Sequence, residues 1–305
     1  MATTAVNCEG PPFADRFFDS RDGLRLFMRD YGAAAAAATP VVCLCGLTRN
    51  SADFGPLAQA LSSGSSGGRA RRALALDYRG RGRSAYDPDW RNYSLPVESD
   101  DIARALEFAG VGRAIFVGTS RGGLHAMLLG ATRPNLVAGV VLNDIGPVVE
   151  KRGLERIRGY AGKVAPPTTV EEGVAYLKRI TSGFELSEDV WRAYAVATFV
   201  DERGAVGPRY DPSIGKAFAD FTIDDEATAR AWALFDSLRD VPLMIIRGAA
   251  SDLLSPETVA QMTLRHPGAR ALTVPGQGHA PLLMDAETIA AIGRFVADAE
   301  NGGAS

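Results

Sequence analysis

Three cysteines in 305 residues cannot build a disulfide framework. Cys43 and Cys45 alternate with apolar residues on an expected strand. Their side chains therefore point the same way on one face instead of forming a metal site. Together with Cys8, they read as reduced, packed thiols of a cytoplasmic protein. Charge of one sign is also missing, since the formal net charge is −3. That balance leaves no electrostatic footprint for nucleic acid. Arg69, Arg71, Arg72, Arg79, Arg81 and Arg83 form the one basic concentration. It flanks an expected strand and reads as a solvated loop, not a polyanion site. No stretch approaches the roughly 18 uncharged apolar residues of a membrane helix. The alanine run at 33–38 is far too short and sits between two strands as a loop. The first residues have neither a basic start nor a long apolar run, so no secretory signal is expected.

What remains is an ordinary globular composition, 46% apolar and 23% charged. The length suits one large domain, or a core with an inserted subdomain. Residues 1–16 read as a flexible arm, and 16–20 with 24–31 as a β-hairpin around Asp22-Gly23. Continuous apolar runs at 40–45, 73–77, 114–117, 137–143, 242–246 and 271–274 read as buried strands. Helical patterns alternate with them, including 97–109 and 285–299. Such alternation implies an α/β protein with a mostly parallel sheet and helices on both faces. Residues 147–235 break the alternation, with helical patterns, Pro and Gly breaks and no convincing buried strand. The expected organisation is a core of 1–146 and 236–305, with a helical insertion at 147–235 acting as a lid.

One stretch organises the rest. Gly118-Thr119-Ser120-Arg121-Gly122 lies between a short buried strand and a helix. A G-x-S-x-G turn in that setting is the nucleophile-elbow pattern, which exposes the serine hydroxyl at the end of a sheet. The glycines are needed because the flanking positions lie too close together for bulky side chains.

A serine hydroxyl needs a base, and the base needs a carboxylate to fix its tautomer. Three histidines are available. His266 precedes Pro267 at a helix end and reads as a surface or capping residue. His125 lies within the helix after Ser120, directed away from the hydroxyl, and reads as packed. His279 sits in a glycine-bounded loop beyond the last strand, at the active end of a parallel sheet, and is the expected base. Two aspartates follow strands at that end, Asp144 and Asp252, and both keep the order Ser, Asp, His. Asp252 is preferred because its loop follows the strand directly before the one leading to His279, with Asp144 the alternative acid. Asp77, which precedes the serine, reads as ordering its own loop. The oxyanion donors expected are the backbone N–H groups of Arg121, opening the elbow helix, and Leu47, after the tight turn at Gly46. The Arg121 side chain reads as a brace against an acidic neighbour, with binding of a substrate carboxylate as the alternative.

Over residues 17–299 the chain resembles the α/β-hydrolase superfamily with a cap domain. The matching pieces are Gly118-Thr119-Ser120-Arg121-Gly122-Gly123, Asp77-Tyr78-Arg79-Gly80-Arg81-Gly82-Arg83-Ser84, Gly248-Ala249-Ala250-Ser251-Asp252 and Gly278-His279. The resemblance implies a mainly parallel eight-stranded sheet, a helical cap, and hydrolysis through an acyl-enzyme without cofactor or metal. Cys45-Gly46 stands where the family often has His-Gly. Haloalkane dehalogenases and epoxide hydrolases of this fold carry aspartate at the nucleophile position, against which Ser120 argues. Meta-cleavage C–C hydrolases often place tryptophan after the histidine, where this chain has Ala280. The aromatics of 147–235, such as Tyr160, Trp191 and Tyr194, suit an acyl or aromatic substrate better than a sugar or phosphate. The expected function is hydrolysis of a small to medium carboxylic ester or lactone. Hydrolysis of a vinylogous diketone C–C bond by the same residues is one alternative. A ligand-binding receptor that keeps the fold without turnover is the other.

Overall fold

The computed structural model describes residues 13–32, 38–163, 165, 167–219 and 224–302. Within these, the apolar runs fold as eight strands: β1 (Phe13–Asp19), β2 (Arg25–Tyr31), β3 (Val41–Leu44), β4 (Ala73–Asp77), β5 (Ala114–Thr119), β6 (Val137–Asn143), β7 (Leu243–Gly248) and β8 (Arg270–Val274). They form one sheet in the order β1-β2-β4-β3-β5-β6-β7-β8. Strand β2 is antiparallel to β1 and β4, and every later pairing is parallel. Strands β3 and β4 are buried along their whole length, as a sheet covered on both faces requires.

The covering helices of the first half are α1 (Gly55–Ser63), α2 (Leu95–Ala109) and α3 (Arg121–Thr132). In α2, Pro96 sits in the first turn, Ile102, Ala105 and Leu106 face the core, and Gly110 ends the helix at φ 68°. From β3 the chain crosses to β4 on one side, then returns to β5 on the other. The crevice between the carboxyl ends of β3 and β5 is thus the topological switch point, where α/β sheets place ligands. Ser120 follows β5 at that point.

Between β6 and β7 lie α4 (Lys151–Tyr160), α5 (Val170–Ile180), α6 (Glu188–Phe199), α7 (Ile214–Ala219) and α8 (Asp225–Asp236), with no strand of the sheet among the described residues. Leu177, Trp191, Tyr194, Ala195 and Phe199 form a separate apolar cluster there, while Ile157 of α4 packs into the main core. The loop after β4 is tied to this segment: Gly82 N–H donates to Arg209 O at 2.7 Å, and Asp211 N–H to Gly80 O at 2.8 Å. Helices α9 (Pro256–Arg265) and α10 (Ala286–Gly302) complete the core. No helix among the described residues is long and apolar enough to cross a membrane.

Two sequence expectations change. Strand β1 begins at Phe13, so 13–16 pair with β2 instead of belonging to an arm; residues 1–12, with Cys8, and 33–37 lie outside the described residues. The arginine cluster is not simply a solvated loop. Arg71, Arg79 and Arg81 are buried and matched by acids: Glu300 for Arg71, Asp101, Asp87 and Asp22 for Arg79, and Glu98 for Arg81. Burying a guanidinium without such partners would be prohibitive, so the charge is used internally.

Candidate active site

Ser120 is forced into its position by the backbone. It adopts φ 51°, ψ −113°, a conformation that costs a non-glycine residue about 1–3 kcal/mol. The turn is so tight that a Cβ on Gly118 would lie 2.4 Å from Gly122 C, and one on Gly122 would lie 2.0 Å from Leu44 O. Both glycines are therefore steric requirements of the elbow. Helix α3 starts at Arg121, with its N-terminus toward the serine.

Ser120 Oγ lies 2.9 Å from His279 Nε2, and His279 Nδ1 lies 2.8 Å from Asp144 Oδ2. An ionised carboxylate only accepts, so Nδ1 carries the proton and Nε2 is left as acceptor for the serine hydroxyl. Asp144 is fully buried and has φ 56°, a left-handed conformation that aspartate tolerates better than most residues. Gly248 N–H donates to its Oδ1 at 2.7 Å, and Ser251 Oγ–H to its Oδ2 at 2.5 Å. The loop carrying His279 is held against the sheet by Asn143, whose Nδ2 donates to Pro281 O and Thr119 Oγ1, both at 2.9 Å.

The preferred acid of the sequence reading is displaced. Asp252 does not partner His279; its carboxylate is gripped by Arg156 Nε at 2.6 Å and Nη2 at 2.8 Å. Burial alone would raise its pKa, but Arg156 overrides this and holds it below the usual value. Chain order could not separate the two aspartates. What separates them is that the β7 loop reaches Asp144 with Gly248 and Ser251, while α4 brings Arg156 to Asp252.

The other two histidines stand apart from Ser120. His125 is fully buried, its Nε2 3.0 Å from Glu98 Oε2 and its Nδ1 2.8 Å from Ser99 Oγ. His266 caps α9 as expected but is buried, not at the surface, with Nε2 at 3.1 and 3.0 Å from the carbonyls of Leu238 and Val241. Asp77 orders two loops, accepting from Ser51 N–H at 2.6 Å and Arg83 N–H at 2.8 Å.

The Arg121 side chain braces against Glu98, with Nε 2.6 Å from Oε2. The other carboxylate oxygen accepts from Arg81 Nη1 at 2.6 Å, and Arg81 Nε donates to Leu47 O at 2.9 Å. Burial pushes the Glu98 carboxyl up, yet Arg121 and Arg81 outweigh it and hold the group well below the usual carboxylate range. One buried carboxylate thus links the two residues expected to supply oxyanion donors. Nothing in the sequence marked Glu98, Arg156 or Ser251 for these contacts; Glu98 was visible only as an acidic residue in the first turn of a helix.

Ser120 and Arg121 line a cavity of about 610 Å³ whose other walls include Leu47, Leu124, Ile145 and Leu154. A pocket of this size and apolar character is usual for a small-molecule site. Among the described residues no group of three or more His, Cys, Asp or Glu is placed to hold a metal ion.

Residues 41–292 match the sequence model of the alpha/beta hydrolase family. A 3-hydroxybutyrate-oligomer hydrolase of Cupriavidus necator is 34% identical over 262 residues, 84% of this chain and 87% of that protein. A 2-(acetamidomethylene)succinate hydrolase of Mesorhizobium japonicum is 28% identical over 249 residues, 77% of this chain and 79% of that one. The crystal structure of an alpha/beta hydrolase from Novosphingobium aromaticivorans superposes with a TM-score of 0.84 at 37% identity, covering 94% of this chain and 99% of that one. With the sheet order, the elbow and these likenesses together, the chain belongs to the alpha/beta hydrolase family and is a hydrolase.

Proposed function

We propose that the chain hydrolyses a carboxylic ester or lactone through an acyl-enzyme formed on Ser120. The observation that carries this reading is the unbroken hydrogen-bonded line Ser120–His279–Asp144, with Ser120 in the wall of an apolar cavity. Ser120 Oγ attacks the carbonyl carbon as its proton passes to His279 Nε2, and Asp144 stabilises the imidazolium. The oxyanion is met by the backbone N–H groups of Arg121 and Leu47. Collapse breaks the bond to the leaving oxygen, which takes the proton from His279. Water then attacks the acyl carbon, giving its proton to His279, and Ser120 departs with that proton as the acid is released. The helices between β6 and β7 serve as the cap: Leu154, Ile157, Phe218 and Ala231 wall the cavity.

The name of the Cupriavidus relative makes oligomers of 3-hydroxybutyrate a natural member of the substrate panel. The experiment is turnover of p-nitrophenyl butyrate by wild type and Ser120→Ala. Loss of about 10³-fold or more is expected. Undiminished turnover in the variant removes Ser120 from the reaction, and the reading with it.

A further inference from the structure

Two spaces of unequal size open on Ser120. The cavity of about 610 Å³ is lined by Arg121 but not by His279, whereas Leu47 lines both spaces. A second pocket, of about 80 Å³, is lined by His279 and closed by Tyr160, Tyr194 and Leu282. It holds no more than a few water-sized groups. This asymmetry bears on substrate choice if Ser120 acts as proposed above. The imidazolium must protonate the leaving oxygen, so the departing alcohol lies against Nε2, in the pocket that His279 lines. The carbonyl oxygen occupies the side of the Arg121 and Leu47 N–H groups. The acyl chain takes the direction that remains, into the large cavity.

We infer that the large cavity is the acyl subsite and the small pocket the leaving-alcohol subsite, so the substrates are esters of medium-length apolar acids with short, uncharged alcohols. The charges nearby agree. In the small pocket Arg49 is gripped by Asp53, Nε to Oδ2 at 2.6 Å and Nη2 to Oδ1 at 2.5 Å, and lies over the Tyr194 ring. In the large cavity Arg121 is matched by Glu98, and Arg91, three-quarters exposed, by Asp89. Neither space offers an unmatched cation to a charged substituent.

Ethyl octanoate and octyl acetate are isomers of equal size that exchange the long and short sides of the ester. Wild-type kcat/KM should favour ethyl octanoate by about tenfold or more. Equal rates, a preference for octyl acetate, or hydrolysis of neither overturns the assignment. Cleavage of ethyl butyrate in the same preparation then shows that the ester reading survives, and its absence that both fall. Ala231 lies half-buried on α8 in the cavity wall. Ala231→Trp should lower kcat/KM for ethyl octanoate relative to ethyl acetate by about tenfold, and an unchanged ratio also overturns the assignment.

Discussion

Asp144 Oδ2 lies 2.8 Å from His279 Nδ1, although 135 residues separate them in the chain. The contact depends on left-handed backbone at Asp144, which turns the carboxylate back across the end of β7 to meet Gly248 N–H and Ser251 Oγ–H. Replacing the acid with its amide keeps the shape but puts a donor opposite an N–H, which favours the wrong imidazole tautomer. Asp144→Asn should therefore lower kcat/KM for p-nitrophenyl butyrate by about 10³-fold or more. Asp252→Asn removes an ion pair with Arg156 and a negative charge that acts on His279 only through space. Its loss should stay within about tenfold. A larger loss in the Asp252 variant than in the Asp144 variant would return the acid role to Asp252.

Glu98 is a positioning residue in this arrangement. Its two oxygens fix Arg121 directly and Leu47 through Arg81, so the carboxylate sets the relation between the proposed oxyanion donors. Glu98→Gln can retain the shape but loses the charge that balances two guanidinium groups, Arg81 fully buried and Arg121 partly so. Oxyanion-hole donors act in the transition state, so kcat should fall by about 10- to 100-fold while KM moves only a few-fold. Affinity for a trifluoromethyl ketone, which forms the tetrahedral adduct, should weaken in step with kcat. If kcat is retained, the bridge is structural only. Truncation in Glu98→Ala leaves the guanidinium groups uncompensated and should cost about 3–5 kcal/mol of stability, read from urea midpoints.

The same cluster makes stability depend on pH. Burial lowers the pKa of His125 from 6.5 to about 4, against the opposing pull of Glu98. Glu98, Ser99, Tyr78, Arg121 and Arg81 are the polar and charged groups around it. The native state keeps the imidazole neutral, while the unfolded chain takes up a proton below pH 6.5. The contribution is thus whole above about pH 6.5 and is lost as pH falls toward 4. The full span corresponds to about 3 kcal/mol. Glu98, held low, acts in the same direction below its own unfolded value of 4.5. The His125 contribution to the wild-type urea midpoint should therefore fall between pH 7 and pH 5. His125→Gln should be less stable at pH 7 but lose less on acidification. Parallel curves would show that His125 titrates alike in both states.

Much of this frame is legible in the chain because it rests on local rules. Strands β4 and β6 match the runs read at 73–77 and 137–143, since burial on both faces leaves apolar residues or glycine at every position but the last, Asp77 and Asn143. The elbow is readable because Gly118 and Gly122 answer a steric demand that no larger residue meets. The partner of His279 is not, because Asp144 and Asp252 follow strands at the same end and in the same order. Only the arrival of Arg156 and Ser251 tells them apart, and those contacts span 96 and 107 residues. Glu98 escapes for the same reason: a carboxylate in a first helical turn looks like a solvated cap until Arg81 and Arg121 close over it.

Two glycines should respond to alanine with opposite sign. At Gly122 the added methyl would lie 2.0 Å from Leu44 O and 2.6 Å from Leu44 C. Those atoms belong to a buried central strand and cannot swing aside as a flexible side chain could. The elbow would have to separate from β3, displacing Ser120 from His279. Gly122→Ala should lower stability by about 3 kcal/mol or more and abolish turnover even in protein that folds. Gly159 lies exposed near the end of α4, with nothing within 4 Å of the place a Cβ would take. There alanine restricts the unfolded chain and suits the helix, so Gly159→Ala should raise stability by about 0.5–1 kcal/mol with turnover unchanged. Thermal midpoints of the two variants, measured side by side, check both. A tolerated alanine at Gly122 would mean that the elbow and β3 are not in rigid contact, and the steric account of the motif would fail.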